Sequence, residues 1–197
     1  RLFYASSSSV YGENKNFPLK ENEKISPKNI YGLTKKIDEE IGLIFNKYYN
    51  VKLVGLRFFT IYGEWGRPDM MMIKFISSYY KNKTFKLYNF GKHVRDFTYV
   101  GDAVKIMYLL LRNHKKLNNF DIFNICSNNP INLKEIILFL KKNKISPKIK
   151  KVTLQKADIL KTHGDNSKLL KFIKFNKFSN WKESVKKTII WYQRNML

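Results

Sequence analysis

Tyr31 and Lys35 stand four residues apart in the run Tyr31-Gly32-Leu33-Thr34-Lys35. On a helix, positions i and i+4 share one face and lie within reach of each other. An ammonium beside a phenol favours the phenolate, which makes the tyrosine usable as a general base near neutral pH. Alone, this spacing has a plain alternative: two residues on a solvated helix face, in a chain with 12 Tyr and 38 Lys and Arg. Upstream, Ser6-Ser7-Ser8-Ser9 closes a short apolar run and is followed by Val10-Tyr11-Gly12. His93, His114 and His163 are scattered and share no metal-ligand spacing, so no metal is expected.

The elements that must carry these residues can be read from apolar periodicity. Residues 1–5 form a short apolar run, a buried strand ending in the serine loop. From about Ile30 to Tyr49, Ile37, Ile41, Ile44 and Tyr48 recur at helical spacing with charges between them. Residues 51–59 are a continuous apolar run with β-branched residues, a second buried strand. Strand, loop, helix and strand in this order build a parallel sheet. Further on, helices are expected near 71–80, 101–112, 133–141 and 181–195, and strands near 85–89, 94–100, 120–125 and 149–154. The chain therefore reads as α/β. Met70-Met71-Met72 opens a helix and reads as core or cleft packing.

A dinucleotide-binding unit needs a Gly-rich turn between its first strand and helix, where backbone N–H groups meet the pyrophosphate. The nine glycines never form G-x-G-x-x-G or G-x-x-G-x-x-G, and Gly63-x-x-Gly66 stands alone. The chain also opens on what reads as an internal strand. The expectation is a C-terminal fragment of a longer enzyme.

Bulk properties narrow the class. A length of 197 residues with 44% hydrophobic content suits a globular domain, or a domain plus part of another. The single cysteine, Cys126, can form no internal disulfide and reads as a small core residue, which fits a reducing, cytoplasmic setting. No signal peptide or membrane span is read from the sequence, so no membrane partner is expected. The net charge of +23 could mark a nucleic-acid binder. However, the basic residues are nearly all Lys and spread along the chain without a basic arm, so the expectation is a solvated surface and no nucleic-acid partner. Such a charge would still steer an anionic substrate.

The serine run before Val10-Tyr11-Gly12, followed by Tyr31-x-x-x-Lys35, resembles the extended short-chain dehydrogenase/reductases, the NAD-dependent epimerase/dehydratase family. The likeness runs through Leu56-Arg57-Phe58-Phe59-Thr60-Ile61-Tyr62-Gly63, Trp65-Gly66-Arg67-Pro68-Asp69-Met70 and Tyr88-Asn89-Phe90-Gly91. It continues in Arg95-Asp96-Phe97-Thr98-Tyr99-Val100 and Gln155-Lys156-Ala157-Asp158-Ile159, and is most similar to the UDP-glucuronate 4-epimerases. Glu64 stands where relatives commonly carry proline, and Lys156-Ala157 where they carry Pro-Gly.

What the resemblance implies is specific. The fold would be the C-terminal part of a Rossmann-type parallel sheet plus a smaller α/β substrate-binding domain. Residues 1–62 would belong to the NAD-binding domain and 63–197 mainly to the substrate domain, with segments near 94–125 returning to the first. Tyr31 would be the base, Ser7 the hydroxyl that binds the reacting sugar oxygen, and Lys35 also the holder of the nicotinamide ribose. Phe58 would contact the cofactor. On the substrate side the resemblance implies Ser8, Thr60 and Tyr88, with Arg95 on the UDP diphosphate and Asp158 on the nucleotide ribose. Arg67 could pair with a uronate carboxylate.

The implied reaction is NAD-dependent C4 epimerisation of a UDP-sugar, UDP-glucuronate to UDP-galacturonate, through a 4-keto sugar. Dehydratases of this fold carry Asp-Glu where Ser8 and Ser9 stand here, so elimination is disfavoured. A decarboxylase, a basic polyanion-binding module and an inactive fragment are the other readings. Relatives are homodimers that pack the Tyr31 helix and its predecessor into a four-helix bundle.

Overall fold

A computed structural model describes residues 1–175 and 177–197. Strands β1 (Leu2–Ser7), β2 (Leu53–Phe58) and β6 (Phe120–Ile125) form one parallel sheet in the order β1-β2-β6. The register aligns Ser7 with Phe58 and Phe58 with Ile125, so the three strands end level. Strand β2 is buried almost throughout because it is the middle strand, which explains its unbroken apolar run. A second sheet joins β3 (Thr60–Tyr62), β5 (Val94–Tyr99) and β7 (Pro130–Asn132), and a third pairs β4 (Phe85–Tyr88) with β8 (Ile149–Val152).

Six α-helices among the described residues cover these sheets: α1 (Ile30–Tyr49), α2 (Met71–Tyr80), α3 (Val100–Arg112), α4 (Leu133–Lys142), α5 (Ser167–Phe172) and α6 (Trp181–Met196). One apolar core gathers Val54, Leu56, Phe123 and Ile125 of the first sheet with Ala103, Ile106 and Leu110 of α3 and Leu169 of α5. A separate core joins Ile73 and Ile76 of α2, Phe85 and Leu87 of β4, Ile136 and Leu140 of α4, and Val185 and Ile189 of α6. Val10, Tyr11, Leu19, Phe59 and Cys126 form a small third cluster below the serine loop.

Helix α1 begins where the Asn29 side chain accepts from Gly32 N at 2.8 Å and ends at Asn50, which is left-handed with φ 56. The helical spacing of Ile37, Ile41 and Ile44 is present, but this apolar stripe does not face the sheet. These residues are 43%, 49% and 51% exposed, while Gly32, Glu39 and Gly42 are the buried positions. The helix lies so close to β1 and β2 that small residues and one paired carboxylate fit there and isoleucines do not. Arg57 of β2 donates to both oxygens of Glu39, at 2.8 and 2.7 Å, and Ser6 of β1 donates to Glu39 Oε1 at 2.5 Å. Arg57 also donates to the Tyr11 hydroxyl and to Glu21 O, both at 2.9 Å.

The loop leaving β1 turns through Gly12, whose φ is +66; a Cβ there would stand 1.8 Å from Ser26 O, so only glycine fits. Strands β3 and β7 and helix α5 had no counterpart in the sequence reading. Each is short, three to six residues, and too brief to show a period.

Candidate active site at the strand ends

The C-terminal ends of β1 and β2 open into a cleft of about 490 Å³, lined by Ser8, Ser9, Tyr31, Phe58, Thr60 and Arg67 among others. In open α/β sheets this end is where ligands bind, because loops and helix starts present polar groups there. A second lobe of about 290 Å³ is lined by Tyr88, His93, Arg95 and Asp158 with an apolar floor that includes Met71, Met72 and Leu87. Thr60–Gly63, Gly66 and Met70 line both lobes, so the two are continuous.

Tyr31 enters the first lobe from the first turn of α1 and is 51% exposed. Gly32 sets its approach: a Cβ at that position would lie 2.5 Å from Ser9 O. The backbone of α1 can therefore press against the serine turn only without a side chain there. Ser7 is buried, and its Oγ accepts from Ser9 N at 3.1 Å, capping the short 3-10 turn Ser8–Tyr11. An oxygen that accepts in this way still carries a proton to donate. Lys35 Nζ is held by Asp38 Oδ2 at 2.9 Å, on the turn after it rather than against the phenol. Arg67 pairs with Asp69 at 2.9 Å, with both side chains largely in solvent.

The second lobe brings together residues far apart in sequence. Arg95 Nη2 donates to Asp158 Oδ1 at 3.0 Å, while its Nη1 donates to Val94 O and Leu160 O. Burial lowers the Arg95 pKa, against the opposing pull of Asp158. Burial works to raise the Asp158 pKa, but the close contact of His93 and the charges of His93 and Arg95 hold it below the usual carboxylate range. Lys28 Nζ adds a bond to Asp158 O at 3.1 Å and an ion pair with Glu13.

Two features of the site were not found from sequence. His93 is 5% exposed, and its Nε2 lies 2.8 Å from Asp158 Oδ2. Its position two residues before Arg95 was the available signal, since side chains two apart on an extended strand share a face. Glu64, noted only as a departure from relatives, accepts from the Tyr99 hydroxyl at 2.9 Å. Burial, then the Glu64 contact, pushes the Tyr99 pKa up to about 12. Glu64 is also the one carboxylate among the residues lining the first lobe.

Comparison with known proteins places this geometry. An uncharacterized protein of Methanocaldococcus jannaschii is 37% identical over 198 residues, covering 99% of this chain and 60% of that protein. UDP-glucuronate 4-epimerase 4 of Arabidopsis thaliana is 32% identical over 97% of this chain and 47% of its own length. The crystal structure of UDP-glucuronic acid 4-epimerase from Bacillus cereus, in complex with UDP-glucuronic acid and NAD, superposes with a TM-score of 0.90 at 26% identity. That match covers 98% of this chain and 61% of the other. The chain thus spans about 60% or less of the length of these relatives. Residues 1–126 match the NAD dependent epimerase/dehydratase family along well over half of the chain. The chain belongs to the NAD dependent epimerase/dehydratase family.

Proposed function

We propose that the protein carrying this chain epimerises a UDP-sugar at C4 with NAD as cofactor, and that its substrate is UDP-glucuronate. The observation that carries this reading is the joining of two lobes through Thr60–Gly63. One lobe holds the Tyr31 phenol beside the serine turn, and the other holds a guanidinium and a carboxylate. A nucleotide-sugar has that polarity, with a reacting sugar at one end and an anionic nucleotide at the other. The Arabidopsis thaliana and Bacillus cereus relatives support the choice of a uronate.

The residues present fit the nicotinamide end of NAD. Phe58 offers an apolar wall at the end of β2, and Tyr31 and the serine turn offer hydroxyls in a half-open cleft at the strand ends. When bound, NAD+ supplies a hydride acceptor and donor for the sugar C4. In this reading Tyr31 takes the proton from the 4-hydroxyl and later gives it back to the oxygen of the 4-keto sugar, whose C4 has by then turned its other face to receive the hydride. Ser7 donates its hydroxyl hydrogen to the reacting oxygen, while Ser8 and Thr60 orient the sugar. Lys35, released from Asp38, holds the nicotinamide ribose. Arg95 binds the diphosphate, Asp158 and Tyr88 bind the nucleoside, and Arg67 exchanges Asp69 for the uronate carboxylate. Residues 1–62 then form the cofactor side and 63–197 most of the substrate side, with the stretch near 94–125 returning to the first sheet. The exposed apolar face of α1 supports a homodimer contact, and the proposed location is the cytoplasm.

Dehydration would need an acid and a base beside the reacting carbon, and Ser8 and Ser9 provide neither. The test supplies the protein, in the longest form its gene encodes, with NAD+ and UDP-glucuronate, UDP-glucose or UDP-N-acetylglucosamine in turn. Chromatography should find UDP-galacturonate, absent with Tyr31→Phe. Conversion of another sugar instead would keep the mechanism and replace the substrate.

A further inference from the structure

Lysines that look scattered along the sequence are gathered by the fold. Residues 70–94 hold five lysines and residues 136–157 hold seven, and neither stretch contains an Asp or Glu. The parallel pairing of β4 with β8 sets these two stretches side by side. In its register Lys86 stands opposite Lys150, and Leu87 opposite Lys151. Register partners on adjacent strands project from one face, and like charges there repel. Lys148 leads into the same sheet, its backbone O accepting from Phe85 N at 2.8 Å, and Lys83 lies just before Phe85 on the neighbouring strand.

Lys83, Lys86, Lys148, Lys150 and Lys151 are all exposed, and none takes part in an ion pair among the described residues. Elsewhere the surface does pair its lysines, as Lys28 with Glu13, Lys36 with Glu40 and Lys186 with Glu183. A cross-strand lysine pair with no carboxylate beside it costs stability, and an outside anion would remove that cost. Apolar side chains border the cluster. Phe90, 46% exposed, sits in the short turn that contacts β8, and Leu154, 40% exposed, follows β8 directly in the chain.

We propose that the lysine face of the β4–β8 sheet docks the protein on the surface of an anionic lipid bilayer. Clusters of about four to eight cations are enough to draw a protein to anionic headgroups. All five cations are ammonium groups, point charges that follow a diffuse anionic surface, and none is the guanidinium fork that reads single phosphates or base edges. Phe90 and Leu154 add apolar contact, which a bilayer rewards and a phosphate backbone does not. Among the described residues no helix is long and apolar enough to cross a membrane, so the contact is with its surface. A second copy of the chain is a poor occupant, because each carries a net charge of +23.

Co-sedimentation with vesicles tests this on the protein in the longest form its gene encodes. The probes are phosphatidylcholine vesicles, alone and with about 30% phosphatidylserine, and a single-stranded RNA oligonucleotide. Native protein should partition onto the phosphatidylserine vesicles only, and be released at about 0.5 M salt. Lys86→Gln/Lys150→Gln should weaken partitioning about thirtyfold, the loss of two charges near the surface. Lys115→Gln/Lys116→Gln removes the same charge from the short turn before β6 and should stay within about twofold of native. Both pairs are exposed, and unchanged circular dichroism shows that each variant is folded. Equal loss in the two pairs would trace the attraction to bulk charge and overturn the proposal, as would no partitioning at all. Tighter binding of the RNA, lost with Lys86→Gln/Lys150→Gln, would make the face a nucleic-acid site instead. Lys86 also lines the second lobe, so release of the vesicles by saturating UDP would assign the lysines to the nucleotide and overturn the bilayer contact.

Discussion

Glu39→Ala is the substitution whose effect follows most directly from the structure. Glu39 and Arg57 are 5% and 2% exposed and joined by two hydrogen bonds, and Ser6 donates to the same carboxylate. Removing the carboxylate leaves a buried guanidinium with only the Tyr11 hydroxyl and Glu21 O as acceptors. Breaking a buried pair from one side costs about 3–5 kcal/mol, and the two remaining acceptors argue for the lower end of that range. For a chain of this size each kcal/mol corresponds to roughly 2–4 °C, so the melting temperature should fall by roughly 6–12 °C for about 3 kcal/mol. Scanning calorimetry on Glu39→Ala, Glu39→Met, Arg57→Met and the double variant Glu39→Met/Arg57→Met reads this out. The double variant should recover at least half of the loss, because no charge then stays buried alone. A Glu39→Ala protein within about 1 kcal/mol of native would refute the reasoning, as would a double variant whose loss is the simple sum. The consequence reaches function, because this pair mounts the Tyr31 helix on the two strands that carry Ser7 and Phe58.

Gly32→Ala should disable the site more than it unfolds the chain. Its Cβ would meet Ser9 O at 2.5 Å and push the first turn of α1 off the serine turn, which a fall in kcat without a matching fall in melting temperature would reveal. Alkaline pH should unfold the protein through its buried phenols. Burial, the largest cause, raises the Tyr11 pKa to about 12, and burial likewise raises those of Tyr4, Tyr62 and Tyr99. A group whose pKa is higher folded than unfolded gives stability that is fully present below the unfolded value near 10 and is lost as pH rises towards the folded one. Absorbance at an ionised-tyrosine wavelength should therefore show a late class of the 12 tyrosines, ionising together with loss of circular dichroism between about pH 10 and 12. Smooth ionisation of all tyrosines near pH 10 would contradict the burial assigned to them.

Much of this arrangement could be read from residues alone, for reasons that are local. The long periodic stretch from about Ile30 to Tyr49 located α1 at its observed bounds, and the apolar run over residues 51–59 identified the buried strand β2. Arg57 inside that run was the clue to a buried ion pair, but its partner Glu39 looked like any surface charge between isoleucines. Helix periodicity shows that one face is apolar and not which face meets the core. Here a close helix-to-sheet approach selected glycines and left the isoleucines outside. The second lobe depends on contacts between residues more than sixty positions apart, such as Arg95 and Asp158, and no local pattern encodes those. Sequence likeness named both residues as candidates, but their pairing with each other, and the contact of His93 with Asp158, came from the folded geometry.

The central claim is that Tyr31 drives a transient oxidation at C4 in which the sugar keeps its own hydrogen. UDP-glucuronate carrying deuterium at C4, incubated with the protein and NAD+, tests this most directly. The account predicts UDP-galacturonate that retains the deuterium at C4, with no product from Tyr31→Phe. Product in which C4 carries solvent hydrogen, or equal turnover by Tyr31→Phe, would contradict it.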